Sequence, residues 1–268
     1  AKGSSYPLPG VRDAEGYTFM GWSTKPMQSV SPQYEAEEKI TVNGNVDLYA
    51  VVFNRTTETD LTEDQLPQVD IYKYKQVIFV GDSRTEFMEN VLTGMGESAT
   101  KNVKFVCSAG KGLDWFTTTG WAQLYSIVQH DSNSILSKKT AVIFNFGVND
   151  LSKSADYAEY YNWIAPQLKS KGCELYFMSV NPVNRLMLPN AGRADRSEAA
   201  VRSFNQYMKA NLSSAYTYID MYSYLKSTGY SFASDHYGTG TVDDGLHYTT
   251  RTYKRIFAKC MDSLRVPA

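Results

Sequence analysis

The sequence has little cysteine and histidine, with 3 residues of each among its 268. No cysteines show the Cys-x-x-Cys spacing, and no histidine and cysteine are spaced to hold zinc. Buried cysteines that act as small apolar residues are expected instead. The nearest histidines, His236 and His247, are interpreted as a loop residue and a candidate base. We therefore predict no metal site and no cofactor.

The sequence also lacks an excess of charge of one sign and any long hydrophobic run. Its 27 Lys and Arg residues nearly balance 28 Asp and Glu residues, so the net charge is −1. Such a chain has no field that attracts nucleic acid or an anionic membrane, and no apolar run is long enough to span a bilayer. We predict no nucleic-acid partner and no membrane insertion. The content of 43% hydrophobic and 21% charged residues is typical of a globular protein.

What the sequence does contain is an apolar run that ends abruptly in polar residues, Val77-Ile-Phe-Val-Gly-Asp-Ser. A short β-branched and aromatic run predicts a strand that is buried in a parallel sheet. Ser83 would then lie at the carboxyl end of the strand and at the start of a helix, where ligands collect in open α/β sheets. The alternative is that Asp82 and Ser83 only cap the helix.

Two later stretches have the same character. Residues 141–150 are a second apolar run that leads into Gly147, Asn149 and Asp150, and residues 244–247 read Asp-Gly-Leu-His before an amphipathic segment. In chain order, Gly-Asp-Ser, Gly-x-Asn-Asp and Asp-x-x-His resemble the sequence blocks of the SGNH, or GDSL-type, hydrolases. Each tripeptide is weak alone, whereas the ordered set is specific, and the resemblance covers about residues 76–268.

The resemblance implies a serine esterase with a catalytic triad. Ser83 would be the nucleophile, His247 the base that takes its proton, and Asp244 the acid that orients the imidazole. Asp243 lies one position too early for this role, and we expect it to be a solvated loop residue. No Gly-x-Ser-x-Gly elbow is present, which argues against the α/β-hydrolase fold.

The resemblance also implies an oxyanion hole. Its donors would be the backbone N–H groups of Ser83 and of a glycine after the second strand, together with the side-chain amide of Asn149. Gly112 and Gly110 are both candidates for that glycine, and we favour Gly112. Asp150 is expected to orient the loop that carries Asn149.

Four residues are candidates for substrate binding. Arg84 could hold an anionic or hydroxyl-rich substrate, or form a solvated pair with a neighbouring carboxylate. Residues 221–237 are predicted to form a loop rich in aromatic and hydroxyl side chains, and Tyr230 and Tyr237 within it could stack on a sugar, with Trp115 as a second wall. The alternative is that the aromatic residues of this loop form a small core of their own.

From residue 76 onward, predicted strands alternate with predicted helices, which indicates a parallel sheet with helices on both faces. The resemblance implies the flavodoxin-like three-layer α/β/α fold with five parallel strands in the order 2-1-3-4-5. Pro166 predicts a kink or a break in its helix. The predicted strands are 76–80, 103–107, 140–146, 174–180 and 216–219, and the predicted helices are 84–93, 112–130, 154–171, 195–212 and 249–264.

Residues 1–58 differ from the rest, since they alternate apolar and polar residues around an Asn-Gly turn, as in a small β module. Over about residues 6–53 the spacing resembles the internalin-type B repeat, a β-grasp-like module of bacterial surface proteins. We expect Tyr17, Phe19 and Trp22 to form its core and the natural protein to extend further upstream. Residues 59–75 are predicted to be a linker and residues 76–268 the hydrolase domain.

These features favour a carboxylic ester hydrolase, secreted or at a bacterial cell surface, that removes short acyl groups, most simply acetyl, from a carbohydrate. The N-terminal module would serve as a spacer or attach the enzyme to the cell wall. An acyltransferase with the same triad is one alternative, and a non-catalytic adhesin with a degenerate fold is another. Because every proposed catalytic residue lies after residue 76, the sequence predicts that the module is dispensable for catalysis.

Overall fold

The computed structural model of the protein describes residues 3–27, 31–131, 138–233 and 242–264. The chain forms two compact units, and each unit collects segments that are far apart in the sequence. Unit 1 comprises Ala1–Asp60, Asn181–Ser203 and Tyr222–Thr252, and unit 2 comprises Leu61–Val180, Phe204–Met221 and Tyr253–Ala268. Among the helices of the described ranges, none is long and apolar enough to cross a membrane.

The N-terminal part of unit 1 is rich in β-structure, as predicted. Phe19 is buried and its ring lies 5.4 Å from that of Trp22, edge to face, whereas Tyr17 is 43% exposed. The expectation that Tyr17 belongs to the core is therefore wrong. Two antiparallel sheets of two strands each pair β1 with β3 and β2 with β4, where the strands are β1 (Ser4–Pro7), β2 (Tyr17–Ser23), β3 (Lys39–Val42) and β4 (Tyr49–Asn54).

A buried lysine joins this part to the later segments of unit 1. The Nζ atom of Lys226 donates a hydrogen bond to the carbonyl of Met20 (2.6 Å) and pairs with Glu35 (2.7 Å) and Glu198 (3.3 Å). A buried ammonium needs such partners, because desolvation of an unpaired charge is costly. The pairs tie the N-terminal repeat to residues from both later segments.

The segment after β4 is less linker-like than its composition indicates. A 3₁₀ turn follows at Arg55–Thr57, and Glu58 is 5% exposed and accepts hydrogen bonds from the hydroxyls of Ser231 and Thr252. A further 3₁₀ turn lies at Glu63–Gln65. The domain boundaries predicted near residues 58 and 75 stay predictions, and the grouping of the chain into two units follows a different division.

Unit 2 is built on a five-stranded parallel sheet in the order β6-β5-β7-β8-β9. This order corresponds to the predicted 2-1-3-4-5, and the flavodoxin-like α/β fold is confirmed. The apolar run at residues 77–80 lies in β5, which has a strand on each side, and is fully buried. The strands are β5 (Tyr74–Gly81), β6 (Val103–Cys107), β7 (Lys139–Asn145), β8 (Cys173–Met178) and β9 (Tyr216–Ile219).

In the described ranges, seven α-helices follow the strands or connect them, with 3₁₀ turns at Leu151–Lys153 and Leu188–Ala191. The fourth helix runs through Pro166 without a break. A π-helical turn, Phe116–Gly120, connects the second helix to the third. The helices are α1 (Ser83–Met95), α2 (Leu113–Trp115), α3 (Trp121–Asp131), α4 (Ser154–Lys169), α5 (Glu198–Asn211), α6 (Met221–Thr228) and α7 (Thr250–Ser263).

Helix α6 corrects the prediction that residues 221–237 form a loop. The density of Ser, Tyr and Gly in this stretch is typical of loops. Met221 and Leu225, one helical turn apart, are both fully buried, and Gly229 follows the helix with a φ of +81°. The buried apolar pair accounts for the helix despite the polar residues around it.

Candidate active site

Ser83 is the first residue of α1, which follows β5 after the single residue Asp82. The side chain of Asp82 caps the helix and accepts a hydrogen bond from the backbone N–H of Arg84 at 3.0 Å. Ser83 is 5% exposed, and the helix N-terminus at which it lies favours negative charge. Arg84 is 3% exposed, so the alternative of a solvated ion pair does not apply to it.

Asn149 and Asp150 bind the loop that contains Gly112. The side-chain amide of Asn149 donates a hydrogen bond to the carbonyl of Lys111 (2.8 Å), and the Oδ2 atom of Asp150 accepts one from the backbone N–H of Leu113 (2.9 Å). Gly112 lies between the two anchored residues. The segment after β7 thus fixes the segment after β6, and both segments lie at the carboxyl ends of strands of the same parallel sheet.

Gly112 has no room for a side chain. A Cβ atom at this position would lie 2.3 Å from Oδ2 of Asp150, whose other oxygen accepts a hydrogen bond from the hydroxyl of the buried Tyr157 (2.8 Å). Gly110 differs, because a Cβ atom there would meet nothing within 4 Å and the position is special only for its φ of +71°. The close approach to Asp150 distinguishes Gly112 from Gly110, and the role of Gly112 as an oxyanion donor stays a prediction.

Asp244 and His247 form a buried pair across a tight turn. Asp244 is fully buried, His247 is 2% exposed, and Nδ1 of His247 lies 2.7 Å from Oδ2 of Asp244. The other carboxylate oxygen, Oδ1, accepts hydrogen bonds from the backbone N–H groups of Leu246 (3.0 Å) and His247 (2.8 Å). A single side chain therefore closes the turn and orients the imidazole.

Burial raises the pKa of Asp244, but hydrogen bonds and the charge of His247 outweigh it and lower the pKa from 3.8 to about 2. The carboxylate is therefore ionised at neutral pH and requires Nδ1 to carry a hydrogen. In the neutral ring, Nε2 is then the nitrogen that accepts a proton. Arg193 also donates from Nε to Oδ2 of Asp244, at 3.1 Å. Sequence reasoning missed Arg193, because nothing in its irregular segment signals a partner 51 residues later.

Asp243, the neighbour of this pair, is not a solvated loop residue. Its side chain is 13% exposed and forms an ion pair with Arg55. Its Oδ1 atom also accepts a hydrogen bond from the backbone N–H of Gly245 at 3.0 Å. The prediction for Asp243 is wrong because it rested on local sequence, whereas the partner lies 188 residues away.

The residues predicted to bind substrate have different environments. Trp115 is half-buried. Tyr230 is 1% exposed and packs edge-on against the rings of Phe232 (5.2 Å) and Tyr248 (5.8 Å), so it belongs to a small core, the alternative considered for this stretch. Tyr237 lies outside the described residues, and its role stays a prediction.

The candidate residues form two groups, each within one unit. Ser83, Gly112 and Asn149 belong to unit 2, and Asp244 and His247 belong to unit 1. Within the ranges that the structure describes, no cluster of three or more His, Cys, Asp and Glu side chains could hold a metal ion.

The family model of the GDSL-like lipases and acylhydrolases matches residues 77–260. Since this match covers more than half of the chain, the protein belongs to the GDSL-like lipase/acylhydrolase family. A second model, that of the Listeria-Bacteroides repeat domain, matches residues 1–51. The resemblance to GDSL-type hydrolases is confirmed, and the N-terminal residues belong to a recognised repeat domain.

Solved structures with this fold share little sequence with the chain. A protein from Slackia heliotrinireducens assigned as an SGNH hydrolase is 12% identical, with a TM-score of 0.50 over 72% of this chain and 100% of that one. A protein from Bacteroides fragilis assigned as an acylhydrolase is 17% identical, with a TM-score of 0.49 over 76% and 92% of the two chains. An acetyl xylan esterase is 11% identical, with a TM-score of 0.47 over 70% and 99%. Among curated proteins, none matches the chain significantly.

Proposed function

We propose that the protein is a serine esterase that removes short acyl groups, most simply acetyl, from an extracellular carbohydrate. The observation that carries the proposal is the buried Asp244–His247 pair, in which an ionised carboxylate 2.7 Å from Nδ1 orients the imidazole. This is the arrangement that a general base needs, because it fixes both the tautomer and the direction of Nε2. Ser83, at the start of α1, is the proposed nucleophile.

In the proposed reaction, Oγ of Ser83 attacks the ester carbonyl carbon while Nε2 of His247 takes the hydroxyl proton. The resulting oxyanion accepts hydrogen bonds from the backbone N–H groups of Ser83 and Gly112 and from the amide of Asn149. Collapse breaks the bond to the sugar oxygen, which leaves with the proton from His247. Water then hydrolyses the acyl-serine, with His247 again as the base.

Aromatic surface next to the proposed oxyanion donors supports a carbohydrate substrate. Trp115 follows Gly112 by three positions, and its half-buried indole packs at 6.1 Å on the ring of the fully buried Phe146, so Trp115 provides the accessible face. Aromatic faces of this kind stack on the C–H faces of pyranose rings. The N-terminal surface repeat supports a location outside the cell, with the substrate in a cell wall or another glycan.

The substrate class is tested by hydrolysis rates for acetyl, butyryl, octanoyl and palmitoyl esters, together with acetate release from acetylated xylan and acetylated peptidoglycan. We expect the wild type to hydrolyse the acetyl ester at the highest rate and to release acetate from a glycan. The Ser83→Ala variant should neither hydrolyse the acetyl ester nor release acetate. A preference for octanoyl or longer esters without glycan deacetylation would contradict the proposal.

The same assay with a sugar acceptor separates the remaining alternatives. Transfer of the acetyl group to the acceptor in preference to water would identify an acyltransferase. The adhesin interpretation requires that no ester is cleaved and that a fluorophosphonate does not label Ser83.

A further inference from the structure

Arg55, in the short turn after the last strand of the N-terminal repeat, contacts two acidic residues of unit 1. Its Nη2 atom donates hydrogen bonds to Oδ2 of Asp13 (2.6 Å) and to Oδ2 of Asp243, while its Nε atom donates to the hydroxyl of Thr18 (2.9 Å). Asp243 directly precedes Asp244. A guanidinium directly after the repeat thus holds the residue next to the proposed catalytic acid.

A second set of contacts, from Asp13 through Asn184, reaches the Asp243–His247 turn at Gly245. The carboxylate of Asp13 is 1% exposed, and its Oδ1 atom accepts hydrogen bonds from the backbone N–H of Phe19 (2.9 Å) and from the amide of Asn184 (2.8 Å). The backbone N–H of Asn184 in turn donates to the carbonyl of Gly245 at 2.8 Å. Gly245 directly follows Asp244.

The turn is fitted closely to this set of contacts. Gly245 has a φ of +63°, and a Cβ atom there would lie 2.3 Å from the carbonyl oxygen of Asn184. The amide of Asn190 donates to the carbonyl of Asp243 at 2.9 Å, which adds a third contact. Asp244 is therefore held through its two chain neighbours, Asp243 and Gly245. Its own carboxylate is left to bind His247 and Arg193.

We propose that Asp13 of the N-terminal repeat and Arg55, which directly follows the last strand of the repeat, are positioning residues that hold the Asp243–His247 turn so that Asp244 orients His247. The activity part of this inference rests on the proposed esterase function. General-base catalysis depends on the direction of the imidazole, and a displacement of about 1 Å can cost about a hundredfold in rate. The N-terminal repeat then contributes to catalysis, because it helps to hold the turn that carries Asp244 and His247.

The cost of burying these charges supports a positioning role over simple adhesion between segments. The carboxylates of Asp13 and Asp243 share one nitrogen of the partly buried Arg55 guanidinium. If these residues only stabilised the fold, charges would not be needed, because apolar residues of similar volume often stabilise a fold as well as a buried ion pair does. Charged pairs instead specify direction, since each hydrogen bond fixes an angle as well as a distance.

Arg185 provides the matched control. Its guanidinium binds both carboxylate oxygens of Asp195 at 2.6 Å and lies 3.6 Å from Glu37 of the repeat. It therefore also connects the repeat to residues 181–203, whereas its hydrogen bonds and ion pairs within the described ranges do not reach the Asp243–His247 turn. Its loss should affect stability alone.

The experiment compares Arg55→Ala, Arg55→Lys and Arg185→Ala in the full-length protein, with p-nitrophenyl acetate as the substrate. We expect Arg55→Ala to lower kcat about tenfold to a hundredfold with little change in KM, because orientation is lost while substrate binding is kept. Arg55→Lys, which retains the charge without the planar fork, should give a smaller loss. Arg185→Ala should keep the wild-type kcat.

A second measurement does not depend on esterase activity. NMR titration of the imidazole of His247, one of only 3 histidines, reports its contact with Asp244 directly. We expect its titration midpoint to move in Arg55→Ala and to stay at the wild-type value in Arg185→Ala. If the wild-type protein cleaves no ester, the proposed function fails, and this titration alone decides the positioning role.

Thermal melting of each variant shows whether it is folded. A folded Arg55→Ala protein with the kcat and His247 titration of Arg185→Ala would overturn the inference. If Arg55→Ala does not fold, Arg55→Lys decides: a lowered kcat at a melting temperature no lower than that of Arg185→Ala supports positioning, and an unchanged kcat overturns it.

Discussion

The two groups of candidate residues are held in place in different ways. In unit 2, the Gly112 loop is fixed by Asn149 and Asp150, and both segments follow strands of one parallel sheet. In unit 1, the Asp243–His247 turn lies outside the described strands of that sheet, and side chains as far away in the sequence as Arg55 hold it. Sheet topology positions the first group, whereas the second depends on a network of side chains to which the N-terminal repeat contributes.

This difference changes the expectation for the N-terminal repeat. The sequence predicts that catalysis needs only residues after 76, because all candidate catalytic residues lie there. Yet Arg55 is hydrogen-bonded to Asp243, and Asp13 is hydrogen-bonded to Asn184, which in turn donates to the carbonyl of Gly245. Lys226 also has its partners Met20 and Glu35 in the repeat. From these contacts we expect that removal of the repeat would displace the Asp243–His247 turn of unit 1 more than the Gly112 loop of unit 2.

The largest loss of kcat is expected from a substitution in the unit 1 group, Asp244 and His247. Asp244→Asn removes the ionised acceptor at Nδ1 and favours the wrong tautomer of His247, so kcat should fall about 10⁴-fold, as in serine proteases with the equivalent change. Asp195→Asn, an exposed acid of the same unit, is the matched control and should keep the wild-type rate. Equal rates for the two variants would remove Asp244 from the proposed mechanism.

A smaller loss of kcat is expected from a substitution in the unit 2 group, Ser83, Gly112 and Asn149. Gly112→Ala places a methyl group against the carboxylate of Asp150 and displaces a proposed oxyanion donor, so kcat should fall about 10²-fold to 10³-fold. Gly110→Asn is the control, because asparagine tolerates the positive φ and the position has open space around it. A greater loss at Gly110 than at Gly112 would assign the oxyanion role to Gly110.

The smallest expected effect concerns the pH dependence of stability. Burial, followed by the charge of Asp243, raises the pKa of Asp13 from 3.8 to about 7. The folded protein therefore retains a proton that the unfolded chain loses, and the contribution of Asp13 to the free energy of unfolding falls as the pH rises from about 4 to 7. Asp244 has a lowered pKa of about 2, so its contribution grows between about pH 2 and pH 4, outside that window.

Urea unfolding of the wild type and of Asp13→Asn, compared between about pH 3 and pH 8, isolates this contribution. The difference in unfolding free energy between the two proteins should change across the window from about pH 4 to pH 7, to the disadvantage of the wild type at the higher pH. A constant difference across the window would show that the pKa of Asp13 is not raised.

The parts of the site that sequence predicts are those that local pattern and sheet topology determine. The apolar runs before Ser83 and Asn149 predict buried strands, and their polar ends predict a common edge of the sheet. Arg55 and Arg193 have no such signal, because their partners come from distant segments that no periodic pattern connects. The sequence leaves two interpretations of Tyr230 open for a related reason, since its burial depends on packing against Phe232 and Tyr248.

The central claim, that Ser83 is the nucleophile of a serine esterase, is tested most directly by covalent labelling. The wild type, Ser83→Ala and Asp244→Asn are treated with a fluorophosphonate, and the modified residue is located by mass spectrometry. We predict that the wild type is labelled at Ser83, that Asp244→Asn is labelled far more slowly, and that folded Ser83→Ala is neither labelled nor able to hydrolyse p-nitrophenyl acetate. Undiminished hydrolysis by folded Ser83→Ala would contradict the account.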